Sequence, residues 1–428
     1  MQTKNILLSL CLWMACSIAQ AECAGSTVSI ATELEAQLQE IKKQLAATPE
    51  GDRDKLSYRH LQERGLTLLE ELQCSREAEA PTEAARRGLD VATAFATVPV
   101  LLITDRAKTQ STSDADRFFG PERQAVGITF GRVDVRMPAE NYVTGDTPPV
   151  GIKVVSVEHS SDGISVALPS LFEADKFSEQ IDRYKAQLRP QARVRVLLFI
   201  HGFNVSYKDS VQAAARLAWG LRLDVLPIAI TWPSQAKILR YWQDEQAIEP
   251  STERLRPVIQ EILSHSSIDE VIIVAHSMGT RLTTRVLSQL NLQKAAYPKL
   301  TRVAFAAADI NEEELRELWP RIKEMPKKGW TFYTSGNDFA LQASSIVHAR
   351  PPVGDSRDRI FTSPPANTID ASAIAPALKG YGHSYLIDNP LLQADLRRWI
   401  FPGAPVVERG LKKEIRPPST TFWIIPAQ

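Results

Sequence analysis

The chain has 428 residues, 50 Lys and Arg against 50 Asp and Glu, and 44% hydrophobic residues. Twenty Gly and 27 Pro are ordinary for this length, so disordered, collagen-like and low-complexity classes are excluded. A formal charge of zero without a basic stripe argues against a nucleic-acid binder, because phosphate backbones are held by clustered Lys and Arg.

Lys4 is followed by the apolar run from Ile6 to Ala15, and Ala19-Gln20-Ala21 then offers small residues at a cleavage position. This pattern predicts a secretory signal peptide over residues 1–21 and an exported protein, periplasmic or secreted. No later stretch reaches the ~18 apolar residues that a membrane-spanning helix requires. Loss of residues 1–21 leaves Cys23 and Cys74 as the only cysteines. Export brings an oxidising compartment in which the two can pair.

Val28, Ile30, Leu34, Leu38, Ile41 and Leu45 form a stripe at helical period over residues 27–47, and Leu56, Leu61, Leu66, Leu69 and Leu72 form another over residues 53–73. The turn signal Pro49-Glu50-Gly51-Asp52 lies between them, so the two helices are expected to fold back as a hairpin. Cys23 and Cys74 would clamp its open end. The hairpin reads as a stabilising cap, with a face for self-association or a lid support as the other readings. Residues 22–95 form this hairpin and a linker to the main domain.

From residue 96 to 403 strands and helices alternate. Strands are expected at 98–104, 126–135, 152–157, 194–200, 226–232, 271–275, 302–307 and 330–335. Helices are expected at 208–223, 251–264, 278–290, 311–324 and 388–400. Alternation of this kind predicts an α/β fold, a mostly parallel sheet with helices on both faces. Residues 404–428 read as a Pro-punctuated tail.

The chemistry falls at strand ends. Ala275-His276-Ser277-Met278-Gly279 follows a strand and opens a helix. This is the G-x-S-x-G nucleophile turn with Ala at the first position, where small residues are needed because the turn is tight. Ser277 is the nucleophile candidate. His201-Gly202-Phe203-Asn204 follows the strand at 194–200, so the backbone N–H groups of Phe203 and Met278 are the oxyanion-donor candidates. His201 precedes the Ser in the chain and reads as structural, and Asn204 either orients the loop or caps the next helix. A neutral imidazole must take the proton from Ser277. His348 falls in a helix-like stretch, whereas His383 lies in the loop Gly380-Tyr381-Gly382-His383-Ser384 before the last helix; His383 is the base candidate. Asp338, after the strand at 330–335, is the leading acid, and Asp309, after the strand at 302–307, is the alternative. Trp219, Trp232, Tyr241 and Trp242 either pack in the core or line an acyl pocket, with residues 232–250 long enough for a cap. The scattered His and Cys make no zinc spacing, and no cofactor is expected.

Thr104-Asp105-Arg106, the run Phe119-Gly120-Pro121-Glu122-Arg123, Phe199 to Asn204, Ala275 to Gly279, Tyr333 to Asp338 and Gly382-His383-Ser384 together resemble a bacterial α/β-hydrolase family, the domain of unknown function numbered 900. The resemblance covers roughly 300 residues, a plausible size for one α/β domain, and leaves out the hairpin. It implies an α/β-hydrolase fold, Ser277, Asp338 and His383 as a triad, and esterase- or lipase-like chemistry on a small-molecule or lipid acyl ester. An acyltransferase using the same residues, and a non-catalytic envelope scaffold, are the alternative readings.

Overall fold

The computed structural model describes residues 27–53, 55–79, 93–111, 113–139, 147–157, 164–292, 297–374, 383–416 and 420–426. The expected signal peptide and Cys23 lie outside them, as does the side chain of Cys74.

The chain opens with α1 (Thr27–Ala47) and α2 (Leu56–Glu79). Leu38, Ile41 and Leu45 recur at helical spacing on α1 and are buried against Leu66, Leu69 and their neighbours on α2. This is the expected hairpin, with its second helix longer than the apolar stripe indicated.

A 13-stranded sheet follows. β1 (Thr93–Thr104) pairs antiparallel with β4 (Thr129–Pro138) and β5 (Lys153–Val157). The short β6 (Ser165–Val166) and β7 (Ser170–Phe172) pair with β4. Between β1 and β4, β2 (Arg106–Lys108) and β3 (Phe119–Arg123) form a separate two-stranded ribbon. α3 (Phe177–Lys185) leads to the central strands.

Those strands are β8 (Arg195–Ile200), β9 (Leu226–Thr231), β10 (Glu270–His276), β11 (Leu300–Ala306), β12 (Trp330–Thr334) and β13 (Asn367–Asp370). The helices between them are α4 (Tyr207–Leu221), α5 (Tyr241–Ser264), α6 (Gly279–Leu292), α7 (Glu312–Ile322) and α8 (Phe339–His348). After β13 come α9 (Tyr385–Asp388), α10 (Pro390–Ile400), β14 (Lys412–Arg416) and β15 (Thr420–Ile424).

The sheet order is β14-β15-β13-β12-β11-β10-β8-β9-β1-β4-β6. Every pairing from β1 through β9, β8, β10, β11, β12 and β13 to β15 is parallel. This is the expected α/β-hydrolase architecture. Residues of each central strand alternate between two hydrophobic clusters, as a pleated strand buried on both faces requires. Val196, Leu198 and Ile200 join the cluster that holds the hairpin, α5, α6 and α7. Leu197 and Phe199 join the one that holds α4 and α10.

Seven short strands escaped the sequence reading: β2, β3, β6, β7, β13, β14 and β15. β13 spans four residues, too few for a visible alternation. β15 lies in the tail, where Trp423 pairs with Ile369, so the sheet extends past residue 403. Of residues 232–250, weighed as a cap, 241–250 are the first turns of α5.

The hairpin is docked on the domain. Gln62 Nε2 donates to the Val347 carbonyl at 2.7 Å, and Lys42 donates to the Gln342 side chain. Gly65 lets α2 lie close to α8: a Cβ there would stand 3.1 Å from Ile346.

β8 connects to β9 on one side of itself and, through β9 and α5, to β10 on the other. The crevice outside the carboxyl ends of β8 and β10 is therefore the point where strand order reverses. Ligand sites of open α/β sheets form at such points.

Candidate active site

β10 delivers Ser277 to that crevice. Ser277 has φ +53°, in the left-handed region that costs an ordinary residue energy. The strained turn is held by the Ser277 N–H donating to the Ala306 carbonyl at 2.9 Å, and by the Ser277 carbonyl accepting from the Thr280 hydroxyl at 2.7 Å. Two glycines make room for it. A Cβ at Gly279 would fall 2.5 Å from the Ile200 carbonyl oxygen, and one at Gly202 would fall 2.2 Å from the Ser277 Cβ and 2.9 Å from its Oγ. The loop after β8 thus lies directly against the candidate nucleophile.

Among the described residues no acceptor takes the backbone N–H of Phe203 or of Met278. Buried N–H groups are nearly always paired, so two open donors beside Ser277 have the character of an anion site. Phe203 is buried and packs on Tyr241 with ring centroids 4.9 Å apart.

His383 lies just ahead of α9. Its Nδ1 faces both carboxylate oxygens of Asp338, at 2.8 and 2.9 Å. Asp338 is the N-cap of α8, its Oδ1 accepting from the Leu341 N–H at 3.1 Å. Burial raises the Asp338 carboxyl from its ordinary value, against the pull of His383. His383 Nε2 is buried and without a partner among the described residues. Ser277 Oγ does not hydrogen-bond to it here; such bonds are often long until a substrate is bound.

His383 is tied to the nucleophile turn through His276. The His276 Nε2–H donates to the His383 carbonyl at 3.0 Å, and the two rings lie 4.4 Å apart. Burial and the nearby His383 push the His276 imidazole down to about 3, so it stays neutral. The sequence places His276 beside Ser277 but assigns it no part in the site, because its partner lies 107 residues away.

Asp309 does not reach His383: Oδ2 accepts from the Tyr241 hydroxyl at 2.8 Å, and Oδ1 accepts from Ser344 at 2.6 Å and Arg281 at 3.1 Å. Arg281 is paired with Glu245 as well, and His348 Nε2 lies 3.0 Å from Glu245. This network borders a cavity of about 210 Å³ between α5, α6, α7 and α8. His201 is buried, its Nδ1–H donating to the Gly202 carbonyl at 2.8 Å and its Nε2 accepting from the Trp232 N–H at 3.0 Å. Burial pushes its imidazole well down, so it is a neutral structural group. Asn204 takes φ +58°, while Ser206 caps α4. Trp232 is buried and stacked on His201, Trp219 is core, and Trp242 is 40% exposed, so these aromatics build no acyl pocket. Among the described residues no group of three His, Cys, Asp or Glu could hold a metal, and no helix is long and apolar enough to cross a membrane.

No curated protein matches the chain. Three of the solved structures that match do so at low score. A structure titled "RedJ with PEG molecule bound in the active site" is 14% identical, with a TM-score of 0.26 over 49% of this chain and 90% of its own. A predicted CIB-like hydrolase from Thermoplasma acidophilum is 16% identical, with a TM-score of 0.27 over 49% and 89%. The RedJ thioesterase of prodiginine biosynthesis in Streptomyces coelicolor is 12% identical, with a TM-score of 0.24 over 47% and 93%. A family model described as "Alpha/beta hydrolase of unknown function (DUF900)" matches residues 175–355, the segment that runs from α3 past the Ser277 turn and Asp338. That segment, shorter than half of the chain, is similar to this α/β-hydrolase family.

Proposed function

We propose that the protein is a serine hydrolase of the esterase or lipase type that cleaves a carboxylic ester through an acyl-enzyme. Ser277 Oγ attacks the acyl carbonyl while His383 Nε2 accepts its proton. Asp338 holds the His383 proton on Nδ1, so Nε2 is free to act as base, and it stabilises the imidazolium that forms. The N–H groups of Phe203 and Met278 hold the developing oxyanion, each donor being worth about 10²–10³ in rate. His383 then protonates the leaving alcohol, and a water deprotonated by His383 releases the acid.

The observation that carries this reading is the His383–Asp338 pair at 2.8 Å, with the other imidazole nitrogen unpaired and His383 tied through His276 to the strained strand-to-helix turn that holds Ser277. The reading extends to export: residues 1–21 direct the protein out of the cytoplasm, and Cys23 and Cys74 pair there.

The test is a panel of p-nitrophenyl esters of increasing acyl length, with Ser277→Ala as control. Hydrolysis that Ser277→Ala abolishes supports the reading. Repeating the assay with competing primary alcohols separates transfer from hydrolysis, because a transferase gives the new ester in place of the acid. Turnover that survives Ser277→Ala sinks it.

A further inference from the structure

Two of the sequence runs that carry the family resemblance, Thr104-Asp105-Arg106 and Phe119 to Arg123, contribute no hydrogen bond to Ser277, Asp338 or His383 among the described residues. They are nevertheless built into the loop that follows β8.

Arg106 is 1% exposed, and its two Nη groups donate to backbone carbonyls, while Nε is buried without a partner among the described residues. Nη2 donates to the Val205 carbonyl at 2.7 Å, and Nη1 donates to those of Ser234 and Gly120, both at 3.1 Å. Val205 is two residues beyond Phe203. The opposite side of the same loop is held by an anion. Asp244 Oδ2 accepts from the Asn204 N–H at 3.1 Å and the Ser234 hydroxyl at 2.5 Å, and Oδ1 accepts from the Gln235 N–H at 2.6 Å. Ser234 Oγ in turn accepts from the Val205 N–H at 3.0 Å. The peptide groups of Asn204 and Val205 are thus gripped on their N–H side by Asp244 and Ser234 and on a carbonyl by Arg106.

The grip is anchored in its turn. Asp105 accepts from Arg123 at 3.1 Å and from Ser251 at 2.7 Å. Arg123 also donates to the Ala247 carbonyl and to Ser251 Oγ. The ribbon of β2 and β3 is thereby fixed to α5, the helix that carries Asp244. Burying a cation and an anion is expensive. Burial pushes Arg106 down to about 10 and raises Asp244, each opposed by its neighbours. Apolar residues would close the same space at lower cost, but they could not set the peptide planes of a loop whose left-handed Asn204 needs external support.

We propose that Arg106 and Asp244 are positioning residues, which hold the 202–206 turn so that the Phe203 N–H stays aimed at the oxyanion formed above Ser277. The proposal rests on Ser277 being the acylated nucleophile.

The test uses the full chain with Arg106→Lys, Asp244→Asn and Ser234→Ala, each verified as folded by circular dichroism. A p-nitrophenyl ester gives kcat and KM, and a trifluoromethyl ketone, which forms a hemiketal oxyanion on a serine, gives an inhibition constant. A misaimed donor lowers kcat by about 10²-fold for Arg106→Lys and Asp244→Asn, and about tenfold for Ser234→Ala, with KM within threefold. Ketone affinity falls by the same factors, which a loss of stability alone does not produce. Folded variants with unchanged kcat and ketone affinity, or with a change confined to KM, overturn the proposal. Ser234→Ala, the mildest of the three, decides the matter where the charge variants do not fold. Activity retained in Ser277→Ala defeats the underlying reading and not the clamp, so the two failures are told apart.

Discussion

Asp338→Asn separates the geometry of the acid from its chemistry. The side chain has two tasks: Oδ1 accepts from the Leu341 N–H as the N-cap of α8, and both oxygens face His383 Nδ1. Asn caps a helix about as well as Asp, so α8 keeps its start and stability changes by less than about 1 kcal/mol. The amide oxygen stays with Leu341, which leaves the NH₂ where Oδ2 was, 2.8 Å from Nδ1. A donor now meets Nδ1, and the imidazole proton moves to Nε2. That nitrogen can no longer accept from Ser277. The same exchange in a protease triad lowers kcat by about 10⁴, equivalent to about 5.4 kcal/mol of barrier at 1.36 kcal/mol per decade. Ester hydrolysis at pH 7.5, corrected for active protein, measures it, with thermal unfolding to verify the fold. Activity within tenfold of the parent in a folded Asp338→Asn protein refutes the assignment, and decisively so if Asp309→Asn is the inactive variant.

Other consequences can be checked alongside. Gly202→Ala places a Cβ 2.2 Å from the Ser277 Cβ, against an ordinary carbon separation of about 3.5–4.0 Å; the shift of more than ~1 Å lowers kcat/KM by about 10², and an unaffected rate contradicts the packing at the turn. Asp309→Ala removes one carboxylate from buried Arg281, so urea denaturation shows a loss of about 3 kcal/mol, while Ser277 remains reactive below the new midpoint; an unchanged midpoint denies the network. His276 is held down to about 3 against an ordinary 6.5. Its contribution is therefore complete above pH 6.5 and is lost as pH falls towards 3: one such histidine costs about 1.4 kcal/mol between pH 7.5 and 5.5. His276→Asn should flatten the pH dependence of the urea midpoint by that amount, and an equal slope in both proteins speaks against a buried neutral ring. Gly65→Leu drives a side chain into Ile346, 3.1 Å from even a Cβ; faster proteolysis in the 48–53 turn reports the loosened hairpin, and equal cleavage rates argue against its docking on α8.

What was legible in the sequence was local. The Ser277 turn depends on five adjacent residues with a strand before and a helix after, so it could be read directly. The buried strands β8 to β11 each show a mostly apolar run because both of their faces are covered. His383 and Asp338 emerged from chain order and elimination, and their pairing is visible only in three dimensions. Groups whose partners are distant in sequence were out of reach. Arg106 grips a carbonyl 99 residues away, Asp244 grips Asn204 across 40 residues, and His276 meets His383 across 107. Asp309 illustrates the converse. Its position after a strand fits an acid, but Tyr241, Arg281 and Ser344 occupy its oxygens, and no spacing in the sequence announces those three. β13 and β15 were missed because short strands beside prolines carry little periodicity.

The most direct measurement of the central claim is to treat the full-length protein with a fluorophosphonate and locate the adduct by mass spectrometry, with Ser277→Ala and His383→Ala in parallel. The probe needs an activated serine and no knowledge of the natural ester. The account predicts a single adduct on Ser277, absent from Ser277→Ala and lost or slowed by at least about 10³ in His383→Ala. An adduct on another residue, or equal labelling of Ser277 in His383→Ala, contradicts it.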